Sequence, residues 1–251
     1  MTTSGNFDLE RITSLLEGLE ETIIFKLIDR AQFRLNPAVY MPGQSGFAGA
    51  AQQSLFSLRL RSQEEMDARF GRFCVAEERP FCARLPKPRR TAALPPTGLC
   101  IEDINAVNLS GKILSSYLDL VPRICRKGDD GHYGSSVEHD VYALQAIARR
   151  IHYGALYVAE SKFLHDRGRY MQLILEKDVK GLISLLTRPG VEDRIMVRIR
   201  DKVDFAQANV NRTSRHVIDP GVVFRFYRDA VIPLTKRGEV LYLLNRTLDQ
   251  Q

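Results

Sequence analysis

Cysteine is scarce in this chain of 251 residues, and its four cysteines have no regular spacing. No CxxC pair occurs, and the positions Cys74, Cys82, Cys100 and Cys125 match neither a disulfide framework nor a structural zinc site. A chain of this length can bury a sufficient hydrophobic core without cross-links. We therefore expect reduced thiols, no metal and a cytoplasmic location.

Long apolar stretches are also missing from the sequence. No segment reaches the roughly 18 uncharged apolar residues that a membrane-spanning helix needs. The first residues, MTTSGNFDLERITSLL, lack the basic region followed by an apolar run that is typical of a secretory signal. We therefore expect no membrane partner.

Charge of one sign is in small excess, with 36 Lys and Arg residues against 30 Asp and Glu and a net charge of +6. The basic residues are mostly interspersed with acidic ones. The compact basic run of Lys87, Arg89 and Arg90 lies in the stretch LPKPRRTAALPP, which is typical of a solvated loop. A nucleic-acid binder with salt-dependent affinity remains a hypothesis that rests on charge alone. We expect no nucleic-acid partner.

No stretch shows the period of two that is typical of a β-strand. Apolar residues instead recur every three or four positions, as on one face of a helix, most clearly from Leu9 to Leu27 with Asp8 as the cap. Similar patterns predict helices over 50–73, 104–124, 136–164, 170–175, 178–186, 191–206 and 220–248. Pro220 suits the first turn of the last helix. We expect an all-α, single-domain helical bundle over residues 1–251, with no β-sheet.

Common catalytic motifs are absent, including GxGxxG, the Walker loop, HExxH and GxSxG. Charged residues do stand inside apolar helical segments, among them Arg150, Glu160 and Lys162. Thr235 and Glu239 are four residues apart and therefore share one face of the last helix. The pattern indicates an anion pocket inside a helical bundle, although solvated helix faces would also explain it.

Five segments, in chain order, resemble the chorismate mutases of fungi and plants. They are TIIFKLIDRAQF at 22–33, RFCVAEERPF at 72–81, GSSVEHDVYALQAIARRIHYGALYVAESKF at 134–163, LILEKDVKGLISLLT with VEDRI within 173–195, and YRDAVIPLTKRGEVLYLLNRTL at 227–248. The resemblance implies an all-helical homodimer of the eukaryotic chorismate mutase type. Such an enzyme rearranges chorismate to prephenate without a cofactor, for aromatic amino acids or aromatic specialised metabolites.

The resemblance also implies roles for five residues. Arg150 would bind one carboxylate of chorismate, Lys162 would contact the other carboxylate and the ether oxygen, and Glu192 would accept from the ring hydroxyl. Thr235 and Glu239 would complete the pocket. The rearrangement needs only a compact conformer and stabilisation of the charge that develops as the ether bond lengthens. A glutamate beside the ether oxygen donates only when it is protonated, so we expect burial to raise its pKa.

Two departures from the family pattern concern the carboxylate site. Thr13 stands where the first helix of the family carries an arginine. Arg11 is turned about 200° from that position on a helix and should face away from the pocket. Arg188 stands where some members carry asparagine, and it would either replace the missing charge or lie on the surface before Pro189.

The spacing between Arg150 and Lys162 is a third departure. The two residues are twelve apart, because GALYVAESK has one residue more than the usual family phrase. A regular helix would therefore turn Lys162 about 100° out of register. A one-residue bulge with i→i+5 bonding would absorb the extra residue, and we predict such a bulge near 154–158.

The amino-acid effector site of the family is also changed in this sequence. Gly134 and Ser135 match its Gly-Ser turn, and Arg72 matches one of two adjacent arginines. Gly71 replaces the other arginine, and Glu138 replaces a threonine. An added acid repels the carboxylate of an amino acid, so we do not expect regulation by tyrosine or tryptophan.

Two functional hypotheses follow from these residues. The first is a chorismate mutase whose ligand is a small dianion such as chorismate, which the five pocket residues favour. The second is a divergent homologue in which the same cage has altered chemistry or a non-catalytic, anion-binding or regulatory role, which Thr13 and the inserted residue favour. Loss of chorismate absorbance, measured for the protein and for Thr13→Arg, separates the two.

Overall fold

A computed structural model describes residues 7–91 and 93–248, and these residues form helices with no β-strand. The α-helices are α1 (Leu9–Arg30), α2 (Leu55–Arg69), α3 (Ser110–Ile124), α4 (Tyr133–Tyr153), α5 (Ala159–His165), α6 (Arg167–Leu175), α7 (Val179–Leu186), α8 (Pro189–Gln207), α9 (Pro220–Phe226) and α10 (Ile232–Leu244). Short 3-10 turns precede and follow α2, and another precedes α3. The predicted all-α fold is confirmed.

Short polar residues determine where several helices begin. Asp8, Asp178 and Asp219 each accept a hydrogen bond from a backbone N–H in the first turn of the helix that follows. Such a cap satisfies an amide that has no partner within the helix. Pro220 occupies the first turn of α9, as predicted, where its missing N–H leaves no hydrogen bond unmade.

The largest apolar cluster is centred on the packing of α1 against α4. Ile23 and Leu27 of α1 and Leu144, Ile147 and Ile151 of α4 are fully buried there. Burial of one such side chain contributes about 1.5–3 kcal/mol. The same two helices then carry polar side chains into a cavity beyond the end of this cluster.

A second apolar cluster lies where α10 crosses the segment after α4. Two glycines allow this close approach. A Cβ on Gly238 would lie 2.5 Å from the Cβ of Ala155, and a Cβ on Gly154 would lie 2.7 Å from Cγ2 of Thr235. The glycines therefore hold Thr235 close to the end of α4.

The predicted one-residue bulge is confirmed. A π-helical segment, Gly154–Val158, joins α4 to α5 without a break in the helical rod. Its wider turn absorbs the extra residue and restores the register between Arg150 and Lys162. Both side chains consequently line the same cavity.

The prediction of one helix over 220–248 is wrong in its details. A second π-helical segment, Tyr227–Val231, separates α9 from α10, and α10 ends at Leu244. Pro233 follows this segment within the first turn of α10. Proline lacks an N–H and its ring clashes with the carbonyl four residues earlier, so a regular α-helix cannot continue through it undistorted.

Candidate active site

A cavity of about 470 Å³ lies between α1, the α4–α5 rod, the start of α8 and α10. It is lined by all seven residues that the sequence assigns to the substrate site: Thr13, Arg150, Lys162, Arg188, Glu192, Thr235 and Glu239. The walls also carry apolar side chains, including Leu16, Val158 and Ile232. The arrangement is a partly apolar pocket with convergent polar groups, which is typical of a small-molecule site.

Arg150 is held deep in this cavity with only 3% of its surface exposed. Its Nη1 donates to Oγ1 of Thr235 at 3.0 Å, and its Nη2 lies 3.5 Å from the carboxylate of Glu20. Its Nε is buried without a hydrogen-bond partner in the described structure. A buried unsatisfied donor is unfavourable by about 1–3 kcal/mol, so a bound anion would gain from contacting this guanidinium.

Lys162 and Glu239 form a second pair in the cavity. Nζ of Lys162 donates to Oε2 of Glu239 at 3.1 Å and to the backbone carbonyl of Leu186 at 3.2 Å. Burial raises the pKa of Glu239, and the nearby ammonium of Lys162 opposes that shift only in part. The direction of this pKa shift is the one predicted for a buried glutamate, and the protonated form of Glu239 can donate a hydrogen bond.

Glu192 lies on the first turn of α8 and faces α10. Nζ of Lys236 donates to its Oε1 at 2.8 Å. Lys236 lines the cavity but was not among the residues that the resemblance assigns to it. Its place beside Thr235 in the last helix was the signal that could have identified it.

Glu20 on α1 is a cavity residue that the sequence interpretation missed. It is fully buried, and Arg198 of α8 binds it through two N–H groups, each at 3.0 Å. Lys202 and Arg150 each lie 3.5 Å from the same carboxylate. Three cations therefore surround one buried acid, and this cluster fixes α1, α4 and α8 around the cavity.

The first helix contributes no cation to the cavity lining. Thr13 lines the cavity, and its Oγ1 donates to the backbone carbonyl of Leu9 at 2.7 Å. Arg11 is exposed and lies outside the lining, as its position on the helix predicts. Arg188 is exposed at the mouth and makes no ion pair within residues 7–91 and 93–248.

Arg72, the arginine of the expected effector site, already donates hydrogen bonds to other residues of the chain. Its Nε donates to Glu78 at 3.0 Å, and its Nη1 donates to Asp67 at 3.2 Å and to Gln145 at 2.7 Å. Two carboxylates therefore already neutralise this guanidinium. An amino-acid carboxylate would have to displace them in order to bind.

The structure does not bring the expected effector residues together within one chain. Gly134 and Ser135 lie in the first turn of α4, whereas Arg72 contacts the same helix at Gln145. Ten helical residues separate Ser135 from Gln145, which corresponds to about 15 Å. These residues could form one site only with parts of two chains.

Within 7–91 and 93–248, no group of three or more His, Cys, Asp or Glu side chains is arranged to hold a metal ion. In the same residues, none of the helices is long and apolar enough to cross a membrane.

Curated relatives match the chain over nearly its whole length, although no family model matches it. A chorismate mutase of Schizosaccharomyces pombe is 37% identical over 247 residues, covering 96% of this chain and 96% of the relative. The chloroplastic chorismate mutase 1 of Arabidopsis thaliana is 35% identical over 262 residues, covering 97% of this chain and 75% of the relative.

Solved structures show the same fold. A Candida albicans chorismate mutase in complex with L-Trp superposes with a TM-score of 0.89 at 32% identity, covering 100% of this chain and 96% of that one. An Arabidopsis chorismate mutase with phenylalanine in its allosteric site gives a TM-score of 0.86 at 35% identity, covering 98% of each chain. The likeness therefore covers the whole helical architecture.

Proposed function

Because this chain belongs to the chorismate mutases of fungi and plants and is itself a chorismate mutase, we propose that its cavity of about 470 Å³ is where chorismate becomes prephenate. One observation carries the assignment of the site. The π segment brings Arg150 and Lys162 into one cavity with Glu192, Thr235 and Glu239, despite the inserted residue.

Binding begins with the two carboxylates of chorismate. Arg150 is oriented by Thr235 and has an unsatisfied Nε, so it binds one carboxylate through charge-assisted hydrogen bonds. Nζ of Lys162 contacts the other carboxylate. The clamp holds the substrate in its compact conformer, in which the reacting carbons are close, and this replaces a rare solution conformer with a bound one.

Charge stabilisation then lowers the barrier of the rearrangement. As the ether C–O bond lengthens, negative charge develops on its oxygen. Nζ of Lys162 and the protonated carboxyl of Glu239 both donate toward that oxygen. Glu192, held by Lys236, accepts from the ring hydroxyl. Donors that are fixed before the reaction stabilise the transition state more than the substrate, which is the basis of catalysis here.

The hypothesis of a divergent, non-catalytic relative gains no support from these comparisons. The test is the loss of chorismate absorbance with purified protein, measured together with Thr13→Arg. Turnover by the wild type is the expected result. No turnover in the wild type with a gain in Thr13→Arg would instead mark a degenerated enzyme, and no turnover in either would contradict the proposed site.

A groove of about 950 Å³ between α1 and α8 supports the homodimer that the resemblance implies. Phe25, Val197 and Phe205 line it, and Phe205 is 85% exposed. Exposed apolar faces of this kind mark interaction surfaces. Asp193 and Lys202 give the groove charges of both signs, so two symmetry-related copies can pair acid with base. Light scattering should give a dimer mass, and Phe205→Asp should give a monomer.

We also propose a domain organisation, a pathway and a cellular location for this chain. Residues 1–251 form a single domain in this proposal, and the enzyme supplies prephenate for aromatic amino acids or specialised metabolites within the shikimate pathway. No disulfide joins the cysteines of the described residues, which supports the cytoplasm as its location. Cell fractionation with a specific antibody tests the location.

A further inference from the structure

The carboxylates on the α8 and α10 side of the cavity are already neutralised. Glu192 pairs with Lys236 at 2.8 Å, and Glu239 pairs with Lys162 at 3.1 Å. Each acid is therefore matched by one cation of its own. The charges of Glu192 and Lys236 cancel, whereas Lys162 keeps its positive charge when Glu239 is protonated.

The carboxylates on α1 are neutralised in the same way. Arg198 contacts both Glu17 and Glu20 at 3.0 Å, and Arg150 lies 3.5 Å from Glu20. Two acids of the lining thus face two arginines of the lining, and Lys202, which lies outside the lining, also pairs with Glu21. The charges cancel here, so a further excess of positive charge beyond Lys162 has to come from other residues.

Arg188 and Arg194 supply that excess. Both line the cavity and are exposed at its mouth, and within 7–91 and 93–248 neither guanidinium group makes an ion pair or a hydrogen bond. Long helical side chains lean toward the N-terminus of their helix. Nη1 of Arg194 accordingly lies 4.0 Å from the position of a Cβ on Gly190, toward the end of α8 where Arg188 stands. The mouth therefore carries two uncompensated positive charges.

We propose that Arg194, together with Arg188, binds from the mouth the substrate carboxylate that Lys162 also contacts, in place of the arginine that the first helix lacks at Thr13. A planar guanidinium matches a carboxylate through two parallel hydrogen bonds. Arg150, with its unsatisfied Nε, binds the other carboxylate deeper in the cavity. The cavity charge then complements a dianion. This inference rests on the proposed active site.

Steady-state kinetics of Arg194→Gln tests the assignment. The contact forms in the substrate complex and persists in the transition state, so KM should rise about tenfold while kcat changes little. Arg188→Gln should act in the same direction, Arg194→Lys should recover part of the loss, and Thr13→Arg should rescue Arg194→Gln. Arg237→Gln is the matched control, because it removes an exposed arginine of α10 that lies outside the cavity.

Calorimetry with a stable bicyclic dicarboxylate shaped like the transition state gives a second readout. Arg194→Gln should weaken binding of this dicarboxylate about tenfold. One of its two monomethyl esters lacks the charge of the carboxylate that faces the mouth, and Arg194→Gln should not weaken binding of that ester. Binding and KM equal to those of Arg237→Gln would overturn this inference alone. A wild type without turnover would overturn the proposed function with it. A changed oligomeric mass in Arg194→Gln would assign Arg194 to the groove instead and would also overturn the inference.

Discussion

The cavity contains Arg150 of α4 and the altered effector region contains Arg72, which packs against α4, yet the two arginines differ in how many unsatisfied hydrogen-bond donors they retain. Arg150 keeps a buried Nε without a partner, whereas Arg72 is bound by Asp67, Glu78 and Gln145. Both side chains carry the same charge. The contrast teaches that a ligand site is marked by donors that the protein leaves unsatisfied, because a satisfied guanidinium gains little from a new anion.

The sharpest test of this comparison is Arg150→Ala. The substitution removes the charged hydrogen bonds to one substrate carboxylate, and losing such a contact weakens transition-state binding by about 2–5 kcal/mol. The value of kcat/KM should therefore fall roughly 30- to several-thousand-fold. Glu20 keeps Arg198 and Lys202 as partners, so the helical fold should survive. Circular dichroism together with the chorismate assay measures both outcomes.

Arg149→Ala is the control for that substitution. Arg149 is the neighbouring arginine on α4, but it is exposed and pairs with Glu78 at 3.4 Å outside the cavity. Its removal should leave kcat/KM within about twofold, since an exposed ion pair contributes little. Equal losses in the two variants would mean that the fold, and not the bound carboxylate, accounts for the effect.

The second prediction concerns the pH dependence that Glu239 imposes. Burial raises the pKa of Glu239, so its protonated, donating form persists above the ordinary range of a glutamate. Activity should be highest below that raised pKa and should fall as the pH increases through it. In Glu239→Gln the amide donates at every pH, so its activity relative to the wild type should rise by about tenfold from acid to alkaline pH. A wild-type rate that climbs steadily from pH 5 to 8 would contradict the role of Glu239.

The π segment after α4 could be predicted from the sequence and from helix geometry. The spacing between Arg150 and Lys162 is one residue too long for a regular helix to keep both on one side, and a π segment corrects this. The structure has that segment at Gly154–Val158. The second π segment was missed, because the pattern before Pro233 looks like a continuous helix. Helix periodicity reports apolar faces and does not report local changes of hydrogen bonding.

Glu20 shows where sequence interpretation of the site stops. It lies four residues after Leu16 and three before Ile23, so it occupies the apolar stripe of α1 and could have been recognised as a buried acid. Its main partner, Arg198, is 178 residues away in the chain. That pairing depends on how α1 packs against α8, which no local pattern specifies.

The third prediction separates Lys236 from its neighbour on α10. Lys236→Met removes the partner of Glu192, and kcat/KM should fall roughly fivefold, because a partly exposed ion pair contributes about 1 kcal/mol. Lys236→Arg should restore most of the activity. Arg237→Met, an exposed change one residue away, should leave it unaltered. A loss in Arg237→Met of the same size would indicate an effect of net charge and not of Glu192 orientation.

The smallest effect is expected in the effector region. Related structures hold L-Trp in a complex or phenylalanine in an allosteric site, but in this chain Arg72 is neutralised by two carboxylates and Glu138 adds another acid near the Gly-Ser turn. Millimolar tyrosine, tryptophan or phenylalanine should therefore change the initial rate less than twofold. Asp67→Asn together with Glu78→Gln frees the guanidinium and should increase the response, because Arg72 then has charge left to bind an amino-acid carboxylate. A strong response of the wild type would show that Arg72 can exchange its present partners for an amino acid. Unsatisfied donors would then not explain the difference between Arg72 and Arg150.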